Sequence, residues 1–137
     1  MKLFLDANIL ISVLNQEYPN FNYTSRILSL ADRPSYQLFT SPICLAISFH
    51  FSEKKSGSKA AKWKMQLLST KIGIAKVDHG VVTQAINDKR VIDFEYGMEY
   101  YSAIQEGCQL IITENASDFF YSVIPVMDSR QFIRKFF

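Results

Sequence analysis

The stretch Leu3-Phe4-Leu5-Asp6-Ala7-Asn8-Ile9-Leu10 decides the fold. Residues 2–6 form a short apolar run that ends in a carboxylate, which is typical of a buried strand. Ile9, Leu10, Val13 and Leu14 then recur at helical spacing. The sequence therefore predicts a strand that turns directly into a helix, with Asp6 at the carboxyl end of the strand.

The same alternation continues along the chain. Apolar runs predict further strands at residues 36–40, 72–77, 109–113 and 123–126, and amphipathic stretches between them predict helices. Helix starts are indicated by Ser41-Pro42, Asp78, Asp93 and Asp128, and a helix end by Gly107. We expect an α/β fold of three α/β/α layers around a central, mostly parallel sheet of about five strands.

Composition places the chain among globular proteins. Its 137 residues, 48% of them hydrophobic and 20% charged, suit one domain spanning residues 1–137. No apolar run is long enough to span a bilayer, and no signal peptide is recognisable, so we expect a cytoplasmic protein without membrane contact. Cys44 and Cys108 show no metal-ligand spacing and are expected to be buried, reduced thiols.

Carboxylates cluster at the predicted carboxyl edge of the sheet, where parallel α/β folds bind ligands. Asp6, Asp93, Glu95, Glu114 and Asp118 are the acids that the predicted elements bring there. Mg²⁺ and Mn²⁺ prefer oxygen ligands, and such ions support phosphodiester hydrolysis. Acids at helix N-termini also cap helices, so residue types and spacing alone leave both interpretations open.

An ordered set of motifs resolves the fold more specifically. The opening stretch is followed by Thr40-Ser41-Pro42-Ile43-Cys44-Leu45-Ala46, Asp93-Phe94-Glu95, Ile111-Ile112-Thr113-Glu114-Asn115 and Asp118-Phe119. In order and spacing these motifs resemble the PIN-domain family over nearly the whole chain. The resemblance implies a metal-dependent endoribonuclease, in some members the toxin of a toxin–antitoxin pair, which often forms a homodimer and is covered by an antitoxin protein.

The chain departs from the family at three of its four usual acids. Ile47 or Ser48 stands where a glutamate is usual, Tyr96-Gly97 replaces an Asp-Ala pair, and Asn115 replaces an aspartate. Only Asp6 is plainly retained. The resemblance therefore implies a metal site whose acid set is reduced.

Neighbouring groups are expected to compensate. The predicted catalytic residues are Asp6, Asp93, Glu95 and Asp118, and the predicted ligands of Mg²⁺ or Mn²⁺ are Asp6, Asp93, Asn115 and Asp118. RNA is the expected substrate. The alternative is a catalytically inactive PIN-fold module that binds RNA or a protein partner.

Aromatic residues make up 14% of the chain. The segment Phe119-Phe120-Tyr121, together with Phe132, Phe136 and Phe137, suggests more apolar surface than a small core can cover, which favours a homodimer. Trp63 lies among lysines and is expected to pack inward, although an exposed Trp63 could stack on an unpaired base.

Overall fold

The computed structural model describes residues 1–137 and has the predicted three-layer α/β/α architecture. All five strands are parallel, in the order β3-β2-β1-β4-β5. The strands are β1 (Lys2–Leu5), β2 (Gln37–Thr40), β3 (Gly73–Ile74), β4 (Leu110–Ile112) and β5 (Val126–Met127). The helices are α1 (Ala7–Leu14), α2 (Phe21–Leu28), α3 (Pro42–Ser56), α4 (Ser58–Ser69), α5 (His79–Asn87), α6 (Phe94–Glu106) and α7 (Ser129–Phe136).

Strand β1 lies at the centre of the sheet and carries the core. Leu3 aligns with Leu38 of β2 on one side and with Leu110 of β4 on the other. Leu3, Phe4 and Leu5 are fully buried, as expected for a strand covered on both faces. Burial of each such side chain contributes about 1.5–3 kcal/mol relative to exposure.

The direction of chain growth reverses at β1. The chain first builds β2 and β3 on one side and then returns to place β4 and β5 on the other. Such a reversal leaves a crevice at the carboxyl ends of the two strands that flank it, where α/β folds place their ligands. The Asp6 N–H donates to the carbonyl of Ile112 at 3.1 Å, which joins the ends of β1 and β4 at this crevice.

The last strand is displaced from its predicted position at residues 123–126. Val123 is exposed, because Ser122 bonds the backbone of Ile124 and holds this segment in a turn. Pairing with β4 begins only at the Pro125 carbonyl, which accepts from Ile111 at 3.0 Å.

One expectation about aromatic side chains is wrong, and another is wrong in part. Trp63 is 59% exposed instead of packed inward. Of the predicted apolar surface, Phe119, Tyr121 and Phe132 belong to the core, and only Phe120 and Phe137 are exposed. None of the helices combines the length and apolar character needed to cross a membrane.

Candidate metal centre

Asp6 is positioned by the junction of β1 and α1. It is 2% exposed and caps α1, with Oδ1 accepting from the Ala7 N–H at 2.6 Å. Oδ2 accepts from the hydroxyl of Thr113 at 2.7 Å and from the Asn8 amide at 3.2 Å. All these contacts donate to the carboxylate, which suits the charged, acceptor-only form of the side chain.

Thr113 ties Asp6 to the loop after β4. Besides donating to Asp6, its hydroxyl accepts from the Asn115 N–H at 3.0 Å. Asn8 adds a second connection, because its amide oxygen accepts from the Glu114 N–H at 3.2 Å. The loop is therefore fixed against α1 by side chains that also orient the Asp6 carboxylate.

Glu99, which the sequence analysis did not select, lies beside Asp6. It is on α6, is 1% exposed, and its Oε1 is buried without a hydrogen-bond partner. Ligand atoms of Asp6, Glu99 and Cys44 lie within 4.8 Å of one another. Three elements that are far apart in sequence thus bring two carboxylates and a thiol together.

Burial sets the proton affinities in this cluster. Desolvation, then a hydrogen bond and the charge of Asp6, raise the pKa of Glu99 well above its ordinary range. Desolvation also raises the pKa of the Cys44 thiol, and the nearby charges of Glu99 and Asp6 add to that rise. The three ion pairs of the protein, at Lys2–Glu106, Lys71–Asp32 and Arg90–Asp88, include none of these groups.

Asp93 and Glu95 lie at the start of α6, as predicted, and both are exposed. Asp93 caps the helix, with Oδ1 accepting from the N–H groups of Glu95 at 2.9 Å and Tyr96 at 3.3 Å. Partial desolvation, followed by the charges of Asp93 and Asp6, raises the pKa of Glu95. Glu95 therefore shares the electrostatic environment of Asp6, while Asp93 is occupied in part by its capping role.

Two of the replaced acid positions form a hydrogen-bonded pair. The Asn115 amide donates to the Tyr96 hydroxyl at 2.9 Å, and the Tyr96 ring packs edge-on against Phe119. Desolvation is the main cause that raises the pKa of Tyr96 to about 12, so the hydroxyl is neutral at physiological pH. Asp118 is exposed in a 3₁₀ turn and contributes to that rise through its charge.

The Glu114 side chain contacts the N-terminus of α7. Its Oε1 accepts from the Ser129 N–H at 3.1 Å, at the first turn of α7. The carboxylate thus stabilises the helix N-terminus, where a negative charge is favoured. This acid of the loop is engaged away from the Asp6 cluster.

Helical spacing explains how Glu99 and Cys44 could have been found. Glu99 lies three residues after Tyr96, and Cys44 three residues before Ile47, the positions where family acids are missing. Residues three or four apart share a helix face. A search one turn along each helix would have identified both side chains.

The donor set fits a divalent cation. Glu99 Oε1 is an unpartnered oxygen in a buried site, and such an atom loses free energy unless it gains a partner. Asp6 and Glu99 supply the carboxylate oxygens that divalent metals bind in proteins. A cation at this point would also balance the negative charge of Asp6.

The fold and this cluster define a parallel α/β domain with acidic side chains at its switch point. Ribonuclease VapC1 of Aquifex aeolicus (strain VF5) is 24% identical over 139 residues, covering 98% of this chain and 94% of that protein. The profile of the PIN domain matches residues 2–117. The chain belongs to the PIN-domain family, which confirms the resemblance seen in the sequence.

Solved structures agree with this assignment. VapBC-1 from nontypeable Haemophilus influenzae matches with a TM-score of 0.72 at 16% identity, over 95% of this chain and 99% of the matched chain. VapBC2 from Rickettsia felis, bound to a DNA fragment from its promoter, matches with a TM-score of 0.71 at 15% identity, over 93% of this chain and 98% of the matched chain. Mycobacterium tuberculosis VapC20, a sarcin-ricin loop cleaving toxin, matches with a TM-score of 0.63 at 19% identity, over 80% of this chain and 86% of the matched chain. These likenesses establish the fold.

Proposed function

We propose that this protein is a metal-dependent endoribonuclease and the toxin of a toxin–antitoxin pair. The observation that carries the proposal is the buried pair of Asp6 and Glu99, with its unpartnered Glu99 oxygen, at the switch point of a PIN fold. The relatives support the substrate class, since one is named a ribonuclease and another cleaves the sarcin-ricin loop.

Asp6 and Glu99 would hold the cation directly. Asp93, Asn115 and Asp118, the other predicted ligands, are exposed and would act through water, the common arrangement for Mg²⁺ or Mn²⁺. A bound divalent ion would supply charge stabilisation to the phosphate and lower the pKa of water. Glu95 would accept a proton from the attacking water; the pKa of its carboxyl is raised by partial desolvation and by the charges of Asp93 and Asp6, which supports this role.

The proposal also covers the domain organisation, location and protein partners. Residues 1–137 would act as one domain, in the cytoplasm where RNA is available, and as a homodimer. An antitoxin protein would cover the cleft. One chain of VapBC-1 from nontypeable Haemophilus influenzae and one chain of VapBC2 from Rickettsia felis have the same fold as this protein, which supports this assignment.

The test is cleavage of labelled RNA by the purified protein with Mn²⁺ or Mg²⁺ and with a chelator. We expect metal-dependent cleavage that Asp6→Asn and Glu99→Gln each reduce by about a hundredfold or more, since each removes a ligand of a charge-stabilising centre. Glu53→Gln, which changes an exposed glutamate of α3, should cleave like the native protein. Absence of cleavage in the native protein on a broad set of RNAs would refute the proposal.

One observation favours the alternative of an inactive PIN module. The hydrogen bond between Tyr96 and Asn115 fills two positions where the family usually has acids. RNA binding without cleavage, unaffected by Asp6→Asn and by chelation, would support this second function.

A further inference from the structure

The cluster at Asp6 contains a sulfur atom. Cys44 is 0% exposed and lies on the first turn of α3, where its Sγ accepts from the Ser41 hydroxyl at 3.3 Å. Its sulfur belongs to the same group of ligand atoms, all within 4.8 Å of one another, as the Asp6 and Glu99 oxygens. A site made only of acids would have no such donor.

The topology places Cys44 there. Strand β2 pairs with β1, and Ser41 then caps α3, so that the first turn of this helix begins beside the end of β1. The Ser41 hydroxyl accepts from the Cys44 N–H at 3.2 Å, which fixes the backbone that carries the thiol. Cys44 therefore has a defined position relative to Asp6.

The three donors suit one ion in number and spacing. Zinc binds sulfur at about 2.3 Å and carboxylate oxygen at about 2.0–2.2 Å, which sets tetrahedral ligand atoms roughly 3.3–3.8 Å apart. The ligand atoms of the three side chains lie up to 4.8 Å apart, so they would have to move closer together by about 1 Å or slightly more to bind one zinc ion. Three protein ligands are also the number found in catalytic zinc sites, which leave a fourth position for water or substrate.

The unpartnered Glu99 oxygen is an independent indication of a ligand. Oε1 is buried and lacks a hydrogen-bond partner, although the other acid of the cluster, Asp6, has three donors. A cation would satisfy Oε1 and would balance the charge of Asp6. Sulfur favours zinc-like ions, whereas Mg²⁺ takes oxygen ligands.

We propose that Asp6, Cys44 and Glu99 form a mixed thiolate–carboxylate centre that selects a thiophilic divalent cation, Zn²⁺ or its spectroscopic analogue Co²⁺, over Mg²⁺. The proposal rests on the metal-dependent function proposed above and specifies which ion the site prefers; Mn²⁺ and Mg²⁺ bind the same site more weakly. Coordination replaces the proton of the Cys44 thiol and the proton of the Glu99 carboxyl, and both pass to the buffer.

The test is titration of the purified full chain with Co²⁺, followed by the near-ultraviolet thiolate-to-cobalt charge-transfer absorption, with calorimetry for Mg²⁺. The variants are Cys44→Ser and Asp6→Asn. Cys108→Ser is the matched control, because Cys108 is also buried but precedes β4 at the opposite edge of the sheet. Circular dichroism verifies that each variant is folded.

We expect the charge-transfer absorption in the native protein and in Cys108→Ser. Cys44→Ser should lose this absorption and bind Co²⁺ at least about tenfold more weakly, since even indirect partners of a metal are worth 10–100-fold. Asp6→Asn should also weaken Co²⁺ binding, and excess Zn²⁺, but not excess Mg²⁺, should displace Co²⁺.

Two other results have different meanings. Co²⁺ binding without the sulfur absorption, or with full affinity in a folded Cys44→Ser, would overturn the thiolate ligand and leave a metal-dependent ribonuclease intact. Binding of no divalent cation by the native protein would overturn the thiolate centre together with the proposed function.

Discussion

Replacing Glu99 by Gln should make the metal-free protein more stable at neutral pH. Glu99 is 1% exposed, and burial, with the hydrogen bond and charge of Asp6, raises its pKa well above its ordinary value of 4.5. The folded protein then keeps a proton that the unfolded chain releases. Stability from this group is fully present below the unfolded pKa and is lost as the pH rises toward the folded pKa.

The slope of this loss follows from proton linkage. At each pH between the two pKa values, the folded state holds up to one more proton than the unfolded chain, so stability falls by about 1.4 kcal/mol per pH unit. Glutamine has no proton to lose, and its amide can still donate to Asp6. The free energy of unfolding of Glu99→Gln should therefore exceed that of the native protein by an amount that grows with pH.

Urea unfolding in the presence of a chelator, at several values between about pH 5 and about pH 8, measures this difference. Glu53→Gln serves as control, because Glu53 is exposed on α3. Its unfolding free energy should run parallel to that of the native protein. The reasoning would be refuted if Glu99→Gln also ran parallel, because Glu99 would then titrate alike in the folded and unfolded states.

Three further substitutions test the packing and the hydrogen bonds around the site. Gly97→Ala should lower the melting temperature, because a Cβ there would lie 2.5 Å from Val91 Cγ1. Such overpacking costs about 1–3 kcal/mol, whereas the higher helix propensity of alanine contributes only about 1 kcal/mol. A rise in melting temperature would contradict this. Thr113→Val removes the 2.7 Å hydrogen bond to Asp6, so it should lower the free energy of unfolding in urea by about 1–3 kcal/mol and weaken Mn²⁺ binding. Unchanged Mn²⁺ affinity would show that this hydrogen bond does not orient the Asp6 carboxylate. Tyr96→Asp returns an acid to the cleft and should strengthen Mn²⁺ binding in calorimetry by about tenfold, whereas weaker binding would place this position outside the site.

The elements and Asp6 could be predicted because local signals determine them. An apolar run followed by Asp6 specifies the end of β1, and Asp93 and Asp128 cap helices as their positions predict. Tertiary contacts determine the features that were missed. The turn made by Ser122 displaced β5, and Trp63 lies on an outer face of α4 that periodicity did not identify.

Glu99 was missed for a specific physical reason. A glutamate in the middle of a helix is usually solvated, and nothing in its immediate neighbours shows that it is buried. Its role depends on α6 turning that face toward Asp6, more than ninety positions away in sequence. The sequence shows directly that Tyr96 stands where the family has an acid. Glu99, one turn further along α6, can be assigned to the site only once the packing of three elements is known.

The most direct test of the Asp6–Glu99 centre is anomalous diffraction from crystals grown with Mn²⁺. We expect a single strong anomalous peak between the carboxylates of Asp6 and Glu99, within bonding distance of both, and no peak in Asp6→Asn crystals. An ion held at the exposed acids Asp93 and Asp118, with Glu99 unengaged, would contradict the account, as would the absence of any ion at the carboxyl end of β1.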